Sequence, residues 1–107
     1  MDPAAQRAAQ NEALFREANE RIEEAAQGFR AHALEALCEC SNPECAETVR
    51  LKMEEYAAVR SHGDRFAMVS GHEDPQVERV VDRTDRFVVV EKIGEGGDVA
   101  RDLDPRG

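Results

Sequence analysis

Three cysteines fall within eight residues, Cys38-Glu39-Cys40-Ser41-Asn42-Pro43-Glu44-Cys45, and the chain holds no others. The spacing is C-x-C-x4-C. In an extended segment residues i and i+2 point to the same side, so Cys38 and Cys40 can present both sulfurs together. Pro43 fixes its own φ and drives Asn42 out of the α region. Ser-Asn-Pro therefore predicts a turn that brings Cys45 back toward the first two thiols. Three thiolates about 2.3 Å from one ion require that doubling back. An odd number of cysteines rules out a fully paired disulfide framework within one chain. Free or metal-bound thiols in a reducing compartment, the cytoplasm, are expected instead.

The strongest candidate for a fourth ligand is His72, in the Gly71-His72-Glu73 loop that follows an expected strand. His62 and His32 are less well placed, one after a helix and the other between the first helix and the first strand. Thiolates with an imidazole select zinc or iron–sulfur chemistry, and zinc is the expected ion. Two other readings stay open. Three reduced thiols could line a small core, with His72 hydrogen-bonded in a turn. Cys40 and Cys45 could instead form a redox pair, although no C-x-x-C is present. A catalytic metal would nominate Glu73 as general base, but neither H-E-x-x-H nor the deaminase pairing of H-x-E with C-x-x-C occurs. Three thiolates also make an ion electron-rich, so a closed structural site is the expectation. The Gly-rich phosphate loops and the G-x-S-x-G elbow are absent.

At 107 residues the chain has room for one domain and one modest core. Charged residues make up 35% and the formal charge is −9. The basic residues stand singly among acids and aromatics are only 5%, so neither nucleic acid nor an anionic membrane is an expected partner. No apolar run approaches the roughly 20 residues that span a bilayer. The first residues lack the basic and apolar regions of a secretory signal.

Along the chain, residues 3–27 are rich in Ala, Glu, Gln and Arg and predict a helix, with Asp2 as N-cap and Pro3 at the first helical position. Phe15, Ala18, Ile22, Ala25 and Phe29 step by three and four onto one stripe, which Leu14 and Ala26 widen. That stripe should dock on the domain's own core or pair with a protein partner or a second copy. Two periods compete over residues 33–40, and a short strand from about Ala36 is favoured over a helix. Val49, Leu51 and Met53 alternate with Thr48, Arg50 and Lys52, as in a half-buried strand. A short helix over 53–61 follows, with Lys52 at its N-cap, where it cannot accept an amide hydrogen, and Gly63 as a stop.

Residues 65–70 predict a strand, and 76–82 and 86–93 a hairpin. The unbroken Phe87-Val88-Val89-Val90 run marks a central strand. From Gly94 onward the glycines and charges read as a flexible tail with no helix behind them. The expected fold is α+β: a long N-terminal helix, then a small, mostly antiparallel sheet with one further short helix. It divides into an amphipathic helix (1–31), an α+β unit carrying the cysteine knuckle (32–93) and the tail (94–107).

Cys38-Glu39-Cys40 with Cys45, then Glu55-Tyr56 and Val59-Arg60, Gly71-His72-Glu73 and Val89-Val90-Glu91-Lys92 together resemble a group of small, uncharacterised bacterial proteins, mainly actinobacterial. The similarity spans residues 36–92, behind a helix containing Asn19-Glu20-Arg21. It implies that Cys38, Cys40, Cys45 and His72 belong to one site and implies no activity. The chain departs from that pattern at Lys52, where Thr is expected, and at Ser70, where Pro is expected. A cytoplasmic regulatory or protein-interaction module with a structural zinc knuckle is the function these features favour. A zinc- or thiol-dependent enzyme or redox sensor is the alternative.

Overall fold

The computed structural model describes residues 3–106. Helix α1 (Pro3–Gly28) leads into β1 (Ala33–Leu37) and β2 (Thr48–Lys52), and α2 (Met53–Arg60) follows. Strands β3 (Arg65–Met68), β4 (Glu78–Arg83) and β5 (Val88–Lys92) come next, and α3 (Glu95–Asp102) closes the chain. The fold is α+β, with a long N-terminal helix and small antiparallel sheets. Strands β1 and β2 pair as a ribbon, and the second sheet has the order β3-β5-β4. No helix among the described residues is long and apolar enough to cross a membrane.

The alternation in β2 does what its period requires. Val49 and Leu51 are buried while Thr48, Arg50 and Lys52 are exposed. The register sets Leu34 opposite Leu51 and Ala36 opposite Val49 on the core side, and Glu35 opposite Arg50 on the outside. Strand β5 is central, and its uninterrupted apolar run is buried on both faces. Phe87 and Val89 join Ala67, Tyr56, Val59 and the β1–β2 ribbon in one core. Val88 and Val90 join Phe66, Met68, Cys38, Cys40 and Ala100 in a second core on the opposite face. At the start of α2, Lys52 supplies no side-chain cap, but its backbone N–H bonds to Glu55 Oε1 at 2.7 Å. That is the reciprocal half of a capping box. The helix ends at Ser61, two residues before the expected glycine.

Three expectations need correction. The first is the tail from Gly94, because residues 95–102 form α3 and the fold therefore has two short helices rather than one. Gly94 takes φ +64°, which turns the chain out of β5. A Cβ on Gly96 would come within 3.2 Å of Lys92 Cε, and one on Gly97 within 3.2 Å of the Lys92 carbonyl. The glycines let the helix lie against the end of β5 and bury Ala100 a turn later.

The second correction concerns α1. Its buried face is Ala9, Glu12, Ala13, Arg16, Asn19 and Glu23. Phe15, Ala18 and Ile22 of the apolar stripe are only half-buried, Ala25 is exposed and Phe29 is 87% exposed. Ile22 and Ala26 still touch the first core from the side. Polar side chains point inward because each meets a specific partner. Arg16 donates to the carbonyls of Gly63 (2.6 Å) and Ala100 (2.7 Å) and stacks 4.6 Å over the Phe66 ring. Glu20 accepts from Arg60 at 2.6 Å and from Arg106 at 2.9 Å, while Glu23 pairs with Arg106.

The third concerns the strand expected from about Ala36. Strand β1 runs from Ala33 to Leu37, so Cys38 and Cys40 lie just beyond it, and Glu39 between them is fully buried.

Candidate metal centre

The chain leaves β1 at Leu37 and crosses from the ribbon to β3. Cys38 N–H donates to Glu47 O at 3.0 Å, which prolongs the β1–β2 pairing by one step, and Glu39 N–H donates to Ala67 O at 2.9 Å. The side chain of Glu39 completes the second contact, accepting from Ala67 N–H at 3.0 Å. Its other oxygen accepts from Asn19 Nδ2 at 2.9 Å and from the Tyr56 hydroxyl at 2.7 Å. Burial raises the Glu39 carboxyl above its ordinary value, and the Asn19, Ala67 and Tyr56 donors pull against that shift. Glu39 thus fastens the short segment between the two sheets, while Cys38 and Cys40, one residue to either side, join the second core. Helix α1 adds a clasp: Asn19 Oδ1 accepts from Leu37 N–H at 2.7 Å, and its amide donates to Leu37 O at 2.9 Å.

The expected turn follows. Asn42 Oδ1 accepts from Glu44 N–H at 3.0 Å and Asn42 O from Cys45 N–H at 3.1 Å. Asn11 of α1 holds the same loop through Ser41 O at 3.2 Å. Cys45 returns as the spacing predicts. On the facing loop, His72 N–H bonds Val69 O at 3.0 Å, and Gly71 at φ +95° provides the backbone bend that carries the ring inward.

The sulfurs of Cys38, Cys40 and Cys45 and one ring nitrogen of His72 all lie within 4.8 Å of one another, an arrangement that could hold a metal ion. His72 Nδ1 is 3.4 Å from Cys38 Sγ and 3.7 Å from Cys45 Sγ. A tetrahedral zinc with bonds of about 2.1–2.3 Å sets neighbouring donors roughly 3.5–3.8 Å apart, so these separations fit. Val69 N–H donates to Cys38 Sγ at 3.2 Å, a bond that favours a thiolate there. Without a cation, burial and the neighbouring cysteines hold the Cys38 thiol well above its ordinary pKa, and burial raises Cys40 as well. Cys38 and Cys40 are buried, whereas Cys45 is partly exposed.

The chain thus brings together all four residues expected at the site. His32 and His62 are exposed and outside the cluster. Glu73, the nominee for a general base, bonds instead to Gly71 N–H at 2.7 Å and lies 3.6 Å from Arg83. Two residues beside the cluster were not legible in advance. Glu39 reads as one more surface acid, and Glu47 is one of 23 acidic residues with no local pattern to single it out. Glu47 Oε2 lies 2.9 Å from His72 Nε2. Comparison of the chain with protein-family models, with curated proteins and with solved structures found no match.

Proposed function

We propose that this chain is a small acidic regulatory or protein-interaction module of the cytoplasm, stabilised by a structural zinc ion on Cys38, Cys40, Cys45 and His72. The observation that carries the reading is the convergence of three sulfurs and one imidazole nitrogen within 4.8 Å. Three thiolates and an imidazole complete a tetrahedron, which leaves no place for the water a zinc hydrolase activates. The four residues come from two segments, so an ion there would tie the β1–β2 ribbon to the loop after β3. A small domain gains much from such a staple. A reducing compartment suits three thiols that must stay unoxidised to bind metal. In this reading the outward side of α1, where Leu14 is 64% exposed, with Phe29 just past the helix end 87% exposed, is the surface offered to a protein partner or a second copy.

Metal analysis of protein purified without added metal tests the claim. About one equivalent of zinc is expected, lost in C38S and H72A. Less than about half an equivalent in the wild type would overturn it.

A thiol sensor using the same cysteines is a second reading, favoured by the partial exposure of Cys45. Fast modification of the native protein by a thiol reagent, with concurrent zinc release, would support it. Slow modification with the fold retained supports the structural site.

A further inference from the structure

Glu47 stands outside the four-residue cluster yet touches two of its members. Its backbone carbonyl accepts the Cys38 N–H at 3.0 Å, and its carboxylate lies 2.9 Å from His72 Nε2. The two nitrogens of the His72 ring therefore face different groups. Nδ1 looks toward the sulfurs of Cys38 and Cys45, and Nε2 looks toward Glu47. A neutral imidazole carries one N–H. If that proton sits on Nε2 and is donated to a carboxylate, the Nδ1 lone pair is left free for an ion.

The geometry points to Glu47 as the positioning residue of the metal centre: it holds His72 in the Nε2–H tautomer, presents Nδ1 to the ion and so governs how firmly the ion is kept. The inference rests on the zinc reading above. The cysteines need less help. Cys38 and Cys40 flank Glu39, which is bonded to β3 through both backbone and side chain, and Cys45 is set by the Asn42 turn. His72 alone comes from a separate loop, and its side chain is 29% exposed, so it is the ligand with most freedom to turn away. Glu47 joins that loop to the cysteine segment by using its backbone on one ligand and its carboxylate on another. Carboxylates behind a ligating histidine typically alter metal affinity by about 10–100-fold.

The test compares wild type, E47A and E47Q by competition with a chromogenic zinc chelator, together with nitrogen-15 NMR of the His72 ring in the zinc-free and zinc-loaded proteins. The Glu47 side chain is 60% exposed, so the variants should fold, and coincident melting of the zinc-free forms checks this. Wild type should show the Nε2–H tautomer, with zinc shifting Nδ1. E47A should hold zinc about 10–100-fold more weakly and show mixed tautomers. E47Q, which can still accept from Nε2–H, should fall between. Zinc held equally well by E47A and wild type, or coordination through Nε2, would overturn the role of Glu47 and leave the zinc site standing. E47Q indistinguishable from E47A in both readouts would also overturn it, by assigning the effect to charge alone. Wild-type protein that takes up no zinc overturns both claims.

Discussion

Buried ionic residues carry an unusual share of this small interior. Lys92 Nζ lies 2.7 Å from Glu12 Oε1 and 3.3 Å from Glu78 Oε1, with all three side chains essentially without solvent contact. The Glu12 oxygens lack an aligned donor despite that proximity. Burial, reinforced by Glu78, pushes the Glu12 carboxyl well above the usual carboxylate range against the pull of Lys92. Replacing Lys92 with Met should therefore cost about 3–5 kcal/mol in urea unfolding at neutral pH, because two buried acids are left without their cation.

Glu12 also sets a pH dependence. Its folded pKa lies above its unfolded one, so its contribution is complete below the ordinary carboxylate value and is lost as pH rises toward the folded value. E12Q removes that slope. Its stability relative to wild type should rise as pH is raised above the ordinary carboxylate range, and a constant difference would contradict the assignment.

Among the elements, α1 and α3 depend on each other and on small residues. Arg16 reaches the Ala100 carbonyl, and Gly96 and Gly97 bring α3 against the end of β5. At Gly97 the obstructing atom is the Lys92 backbone carbonyl, which cannot rotate away. G97A should destabilise the fold by about 1–3 kcal/mol even though alanine is the better helix former. Hydrogen exchange should show the loss concentrated in α3 and the adjoining turns of α1. One turn further along α1, the Asn19 amide joins the helix to Leu37 and Glu39, directly beside Cys38. N19A leaves the Leu37 N–H and a lobe of the buried Glu39 carboxylate unpaired. It should cost about 1–3 kcal/mol, with reduced exchange protection at Leu37 and Cys38.

Across the whole molecule, the proposed ion would join the β1–β2 ribbon to the three-stranded sheet at the seam that Glu39 already bridges. Free zinc held a hundredfold above its dissociation constant adds about 2.7 kcal/mol to the folded state. Chelation should lower Tm by roughly 10 °C or more in a domain of this size. Far-UV circular dichroism at low temperature should change little, because two apolar cores and the buried ionic contacts remain. A melting curve indifferent to chelator would remove the staple from this account.

The cysteine–histidine cluster and most of the strands were legible in the sequence because the forces that set them are local. A two-residue period, a Ser-Asn-Pro turn and a glycine before His72 act over a few bonds, and they read the same in the chain as in the fold. The inward face of α1 was hidden because apolar periodicity counts only side chains that avoid water. Glu12, Arg16 and Asn19 are buried for the sake of partners that lie 18 or more residues away. The helix at residues 95–102 was hidden for a related reason: glycine is a poor helix former until close approach to another backbone makes the missing side chain an advantage. The sequence alone determined which residues could gather round an ion and which strand lies at the centre. Only the tertiary structure decided which acids are interior, because burying a charge depends on what stands opposite it.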